Sequence, residues 1–89
     1  MVFGNKKLFT NKIGEIHVGN NSPEGFSECT IEEVEKILKN IGKKKLWRCH
    51  VCNDLRIAEL PLEVCPTCFQ MDAYIEINEK EFRGLLQIV

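Results

Sequence analysis

The sequence predicts a small α+β domain bound to a metal ion, with a short antiparallel sheet beside two cysteine turns and a strand-and-helix segment before them. Two Cys-x-x-Cys pairs stand twelve residues apart in the second half of the chain. A capped helix pattern precedes the pairs, and short runs of strand type lie before and after them. A chain of 89 residues has room for one such domain, near the length below which a metal or disulfide must supplement the apolar core.

The N-terminal elements come first along the chain. Between Lys7 and Val18, apolar and polar residues alternate loosely, which predicts one or two short strands that form a hairpin. Residues 19–25 are rich in Gly, Asn, Ser and Pro. We therefore expect a loop between the hairpin and the helix.

A capping box predicts where the helix starts. Thr30 is suited to accept a hydrogen bond from the N–H of Glu33, whose side chain can return one to the backbone. The helix is predicted over 30–41, with Gly42 at the C′ position beyond its end. Spacings of three and four place five apolar residues on one face: Ile31, Val34, Ile37, Leu38 and Ile41. We expect this face to be buried, and Glu33 and Lys36 to be exposed.

After the cysteine pairs, the chain returns to regular structure. The run 74–77 has the composition of a strand. Asn78, with a glutamate three residues later, predicts the cap of a last short helix that extends to Leu86. Because the pattern changes after the first helix, we divide the chain into an N-terminal segment, residues 1–45, and a metal-binding domain, residues 46–89.

The spacing of the cysteines predicts the functional site. Two tight turns, each with two cysteines separated by two residues, supply four tetrahedral ligands when they face each other across one ion. The full pattern Cys-x2-Cys-x12-Cys-x2-Cys is typical of such a site. A thioredoxin-like redox motif is excluded, because two pairs are present and no βαβ pattern surrounds them. The predicted ligands are Cys49, Cys52, Cys65 and Cys68.

The residues around these cysteines resemble the rubredoxin-like domain at the C-terminus of rubrerythrins. The matching stretches are Trp47-Arg48-Cys49-His50-Val51-Cys52, Pro61, Cys65-Pro66-Thr67-Cys68 and Met71-Asp72-Ala73-Tyr74. The similarity covers residues 46–77 and implies rubredoxin-like knuckles that hold one iron ion, ferric or ferrous, for one-electron transfer. The long carboxylate-bearing helices of a rubrerythrin are absent from the sequence, so the di-iron peroxidase activity is not implied.

Two positions depart from that family, which usually has glycine after the second and the fourth cysteine. This chain has Asn53 and Phe69 there. Asparagine accepts a left-handed backbone readily, whereas a bulky residue in that conformation is strained. We therefore expect either an altered second knuckle or an ordinary backbone at Phe69.

The donor set leaves the identity of the metal open. Four thiolates in a tetrahedron suit zinc as well as iron, and a bridged iron–sulfur cluster also uses four cysteines. The resemblance favours iron, and with it an electron-transfer module that is a partner or small subunit of a larger redox enzyme. The alternative is a structural zinc ribbon that mediates protein assembly or, less favoured, nucleic-acid binding. The sequence contains no Ser-His-Asp grouping, phosphate loop or paired acids that would support an independent catalytic activity.

Charge is divided unevenly along the chain. Residues 1–48 have a formal charge of +3 and residues 49–89 a formal charge of −4, within a total of −1. An acidic metal-binding half disfavours nucleic acid as its partner and favours a basic patch on a redox partner. The acidic surface is predicted to comprise Asp54, Glu59, Glu63, Asp72 and Glu76.

Hydropathy and the use of cysteine indicate the cellular compartment of the protein, and the remaining cysteine, histidines and tryptophan have expected roles of their own. The N-terminus lacks the apolar core of a secretory signal, and no apolar run reaches the roughly 18 residues of a membrane span. We expect a cytoplasmic protein with no membrane contact, where paired cysteines bind metal rather than form disulfides. Cys29 is expected to be an ordinary thiol, His17 to be structural or exposed, and Trp47 to pack under the site. His50 is expected to be exposed, with partner docking or a proton-linked role as the alternative.

Overall fold

Six strands and two helices make up residues 7–86, the part of the chain that the structure, a computed structural model, describes. In chain order they are β1 (Lys7–Thr10), β2 (Ile16–Gly19), β3 (Ser27–Glu28), α1 (Ile31–Lys39), β4 (Lys45–Cys49), β5 (Leu55–Ala58), β6 (Tyr74–Ile77) and α2 (Glu79–Leu86). Neither helix in this range is long and apolar enough to cross a membrane.

All six strands join one antiparallel sheet in the order β3-β1-β2-β5-β4-β6. β1 and β2 form the predicted hairpin, with Leu8 opposite Val18. Its turn is closed by Asn11, whose Oδ1 accepts a hydrogen bond from the N–H of Glu15 at 2.9 Å. β6 covers the predicted run 74–77. β5, which no local pattern predicted, pairs with β2 on one side and with β4 on the other.

The two faces of the sheet carry different layers, because side chains alternate along each strand. Leu46 of β4 points into the main apolar core, and its neighbour Trp47 points to the opposite face. The first face packs against both helices. The buried core between this face and the helices comprises Ile16, Val18, Val34, Leu38, Leu46, Leu55, Ile57, Phe82 and Leu86. The second face carries the cysteine turns, so the sheet separates the helices from the predicted site.

α1 starts as predicted and ends earlier. Thr30 is the N-cap, and its Oγ1 accepts a hydrogen bond from the N–H of Glu33 at 3.4 Å. The helix ends at Lys39 rather than at residue 41, because Asn40 caps it and its N–H bonds back to carbonyls of the last turn. Gly42 is therefore not the C′ residue. Its φ of +60° instead allows the turn between α1 and β4.

The helices attach to the sheet and to each other. The predicted face of α1 is buried or half-buried, and Glu33 and Lys36 are exposed. Asn78 caps α2 as predicted, since its Oδ1 accepts a hydrogen bond from the N–H of Glu81 at 2.8 Å. An ion pair of 3.0 Å between Arg83 of α2 and Glu35 of α1 joins the two helices. Both helices therefore form one layer.

The sheet continues across the predicted boundary between residues 45 and 46. β2 pairs with β5, where His17 lies opposite Arg56. In the loop after β2, Asn21 donates a hydrogen bond to the carbonyl of Pro66 in the second cysteine turn at 3.0 Å. That segments 1–45 and 46–89 are separate folding units stays a prediction. In the folded protein, the N-terminal segment contacts the cysteine turns directly.

Candidate metal centre

Four sulfur atoms meet on the face of the sheet opposite the helices. The Sγ atoms of Cys49, Cys52, Cys65 and Cys68 all lie within 4.8 Å of one another. The separation is 3.6 Å between Cys49 and Cys68 and 3.5 Å between Cys52 and Cys65. A tetrahedral site with metal–sulfur bonds of about 2.3 Å has sulfur–sulfur separations of about 3.8 Å. The structure therefore brings the predicted ligands together in a group that can hold one metal ion.

Two turns of the same geometry present these sulfur atoms. In the first turn, the N–H of Asn53 donates to the carbonyl of Cys49 at 2.9 Å, and in the second, the N–H of Phe69 donates to the carbonyl of Cys65 at 2.8 Å. A further bond closes the base of each turn: Cys49 N–H to the Asp54 carbonyl at 2.8 Å, and Cys65 N–H to the Gln70 carbonyl at 3.1 Å. The two cysteine pairs thus have equivalent backbone support.

The residue after each pair has a left-handed backbone. Asn53 has a φ of +68° and Phe69 a φ of +63°, so the expectation of an ordinary backbone or an altered knuckle at Phe69 is wrong. The hydrogen bond to Cys65 requires this conformation, which costs a bulky L residue about 1–2 kcal/mol. Because the Phe69 side chain is 70% exposed, its packing offsets little of that strain.

Backbone N–H groups stabilise a thiolate in the first turn. Burial acts to raise the pKa of Cys49, but the N–H groups of Cys52 and Val51 donate hydrogen bonds to its sulfur and bring its pKa below the ordinary value. For Cys52 the effect of burial dominates, and its pKa is raised. A bound cation replaces the proton of such a thiol. A metal ion that bound at Cys52 would therefore have to displace this proton.

The second turn places Cys65 next to a buried hydroxyl. Burial raises the pKa of Cys65 against the opposing effect of hydrogen bonds from the N–H groups of Cys68 and Thr67. Burial also raises the pKa of Tyr74, which lies beside Cys65. The Tyr74 hydroxyl interacts with the sulfur of Cys65 as a hydrogen-bond donor, which acts to lower the pKa of Cys65 and adds to the rise in the pKa of Tyr74. A thiolate at Cys65 would strengthen this interaction, because a charged acceptor forms the stronger hydrogen bond, which fits a cysteine bound to a metal.

The sulfur group is enclosed on one side and accessible on the other. Cys49 and Cys65 are buried, whereas Cys52 and Cys68 are partly exposed. Trp47 packs against the cysteine cluster as predicted, and its indole N–H donates to the carbonyl of Ala58 at 3.0 Å. A partner can therefore approach the site from the side of Cys52 and Cys68.

A buried polar cluster lies behind Cys65, and sequence reasoning missed it. Asp54, predicted on the acidic surface, is fully buried. Its Oδ2 accepts a hydrogen bond from Oγ1 of Thr67 at 2.5 Å and lies 3.7 Å from Sγ of Cys65. Nε2 of His17, which is also fully buried, lies 3.2 Å from the same oxygen. No local pattern marks these residues, because the cluster joins segments that are far apart in the sequence.

The other singled-out residues lie outside the sulfur group. Cys29 is half-buried and its pKa is raised to about 11 by burial and by the charge of Glu33, as suits the ordinary thiol that was predicted. His50 is exposed. Lys45 forms an ion pair of 3.9 Å with Glu76, so the lysine run 43–45 is partly paired with the acidic half of the chain.

The chain was compared with known protein families, curated proteins and solved structures. No family model, no curated protein and no solved structure matches it. The rubredoxin-like identity of residues 46–77 therefore stays a prediction, and function is inferred from the cysteine site and its surface.

Proposed function

We propose that the protein is a rubredoxin-like electron-transfer module that binds one iron ion through Cys49, Cys52, Cys65 and Cys68. The observation that carries this proposal is the meeting of four sulfur atoms in two equivalent turns. Iron held by four thiolates would supply a one-electron couple between its ferric and ferrous states. Such a module has no catalytic activity of its own and is a partner or small subunit of a larger redox enzyme.

The fold holds the cysteine turns in a defined geometry. Cys49 ends β4, and both turns are closed by backbone hydrogen bonds. A site that is held in this way changes its geometry little when its charge changes, which favours electron transfer. The partial exposure of Cys52 and Cys68 supplies the contact through which a partner would exchange the electron.

The surface of residues 50–77 suggests the chemistry of the partner. The exposed carboxylates between residues 50 and 77 are Glu59, Glu63, Asp72 and Glu76. The one Lys or Arg in that range is Arg56, and it is buried. Beside the cysteines, Val51, Phe69 and Met71 expose apolar side chains. A redox protein with an apolar patch rimmed by Lys and Arg would complement this surface, whereas nucleic acid would be repelled.

The cysteines also suggest a compartment. The four cysteines of the sulfur group lie close enough together to cross-link under oxidising conditions. A reducing compartment keeps such thiols available for metal. We therefore place the protein in the cytoplasm, and we propose no membrane partner.

A structural zinc ribbon is the second candidate function. The sulfur–sulfur separations of 3.5 and 3.6 Å suit zinc–thiolate bonds of about 2.3 Å as well as iron. In this role the metal would stabilise the two turns, and the exposed Phe69 would contact a protein partner in an assembly. Nucleic-acid binding is the weaker form of this candidate, because the surface around the site is acidic.

Metal content decides between the two functions. Protein purified without oxygen and without added zinc is expected to contain one iron ion per chain. In its oxidised form it should show the visible charge-transfer bands of ferric thiolate, and these should disappear on reduction and return on oxidation. A colourless protein with one zinc ion per chain would contradict electron transfer and support the ribbon. A protein that binds neither metal would contradict both.

A further inference from the structure

A carboxylate without access to solvent stands beside the sulfur group. The side chains of Asp54 and His17 are both 0% exposed, and Oδ2 of Asp54 lies 3.7 Å from Sγ of Cys65. Burial of a carboxylate is unfavourable unless it is well paired. An apolar residue of similar volume would avoid this cost, so the presence of Asp54 calls for a role.

The surrounding residues are shaped to hold this carboxylate. Thr67, in the second turn, donates its hydroxyl hydrogen to Oδ2 at 2.5 Å. Gly19, at the end of β2, leaves the necessary space: a Cβ atom there would lie 2.7 Å from Nε2 of His17 and still closer to Oδ2 of Asp54. Two segments that are far apart in the sequence, β2 and the second turn, thus converge on one oxygen atom of Asp54.

A buried cation of β5 pairs with a carboxylate of the N-terminal hairpin. Arg56 lies opposite His17 in the sheet, and its guanidinium is 3.4 Å from Oε1 of Glu15. Oδ2 of Asp54 contacts the hydroxyl of Thr67, the imidazole of His17 and the sulfur of Cys65. The carboxylate therefore lies beside the sulfur group and away from solvent.

We propose that Asp54 is a positioning residue that biases the four-cysteine centre toward its oxidised state, with Thr67 and His17 as the groups that moderate its charge. This inference rests on the proposed electron-transfer function. One-electron reduction converts ferric to ferrous iron, the electron comes from the redox partner, and the centre becomes more negative by one charge. A fixed carboxylate in an interior of low dielectric constant disfavours that added charge, so it lowers the midpoint potential.

The test is a redox titration of the iron-loaded protein and its variants, followed through the ferric charge-transfer bands. Asp54→Asn removes the charge and keeps the shape, so its midpoint potential should lie above that of the wild type. Glu63→Gln is the matched control, because it removes one carboxylate that is exposed and screened by solvent. Its potential should move much less. Thr67→Val keeps the carboxylate and removes its donor, so its potential should fall.

Each outcome bears on one of the two proposals. If Asp54→Asn shifts the potential no more than Glu63→Gln does, or if Thr67→Val raises the potential, the role of Asp54 is overturned and electron transfer stands. If the wild-type protein shows no reversible couple, electron transfer itself is overturned, and the role of Asp54 with it. Should Asp54→Asn fail to retain iron, the direction of the shift in Thr67→Val decides alone.

Discussion

Single residues fix the geometry of the cysteine turns, and they do so at different energetic cost. Asn53 and Phe69 occupy equivalent places with φ values of +68° and +63°. Asparagine adopts this conformation with little strain, whereas phenylalanine does not. Asn53 also accepts a hydrogen bond through Oδ1 from Arg48 at 3.1 Å, while Phe69 is 70% exposed. The stability of the fold therefore explains why asparagine occupies position 53, but it does not explain why phenylalanine occupies position 69.

Replacement of Phe69 by glycine should stabilise the protein. Glycine removes a strain of about 1–2 kcal/mol and adds an entropic cost of roughly 0.5–1 kcal/mol, so the free energy of unfolding should rise by about 0.5–1 kcal/mol. Urea denaturation of the metal-loaded protein measures this change. Asn53→Gly is the matched control, and it should show no gain because it relieves little strain and loses the bond from Arg48. Equal effects at the two positions would contradict this account.

The cysteines should divide into four that are required and one that is not. Serine at Cys49, Cys52, Cys65 or Cys68 should lower metal occupancy and disorder the knuckles, because metal binding in such sites is coupled to folding. Cys29→Ser should leave occupancy unchanged, since Cys29 lies outside the sulfur group. Metal analysis with circular dichroism checks both statements. Loss of metal from Cys29→Ser, with retention in one of the other four, would show that the ligands are misassigned.

At the scale of elements, α1 is held by a narrow apolar face rather than by its length. It comprises Ile31–Lys39, which is too short to be stable alone. Val34 and Leu38 are buried in the main core with Phe82 of α2. The helix therefore depends on contact with the sheet and with α2.

Truncation of this face should destabilise the whole protein. Leu38→Ala should lower the free energy of unfolding by roughly 2–5 kcal/mol, because it leaves a cavity under the sheet. Lys36→Ala, on the exposed side of the same helix, should change it by less than about 0.5 kcal/mol. Chemical denaturation measures both variants. A small effect of Leu38→Ala would mean that the helix docks on a partner instead.

The elements that the sequence predicts are those with local signals. Thr30 and Asn78 mark the starts of α1 and α2, since a cap and its bonded N–H lie three residues apart. The spacing of the cysteines is local in the same sense. β5 and the burial of Asp54 could not be predicted, because both depend on pairing with β2, far away in the chain. The knuckle at Phe69 was misjudged because its hydrogen bonds outweigh the strain of one residue.

At the scale of the whole molecule, the sheet separates the helices from the cysteine turns, and the predicted acidic residues differ in their exposure. The helices cover one face of the sheet, and the cysteine turns lie on the other. Of the predicted acids, Asp54 is removed from the surface by burial, and Glu59 lies beyond the end of β5 that is away from the first cysteine turn, in a cavity lined also by Lys44. The predicted acidic surface is therefore confined to the exposed carboxylates.

Reversal of this charge should impair transfer with a basic partner. Glu59→Lys combined with Glu63→Lys should slow reduction by the physiological donor, most strongly at low salt, because electrostatic steering is lost. Stopped-flow kinetics at several ionic strengths measures the effect. Glu32→Lys with Glu33→Lys, on α1 beyond the sheet, alters net charge equally and should slow transfer less. If the variant with Glu59→Lys and Glu63→Lys is reduced as fast as the wild type, docking through the acidic surface is contradicted. The assignment of the metal ligands is not affected by that result.

The pairing of β2 with β5 has a consequence for amide hydrogen exchange. Metal binding stabilises the folded state by mass action, and amides that exchange only through global opening share the resulting protection. β1 is separated from β5 by β2 in the sheet. If the sheet opens as a single cooperative unit, metal should slow exchange in β1 as much as in β4. The ion would then stabilise the β1–β2 hairpin without contacting it.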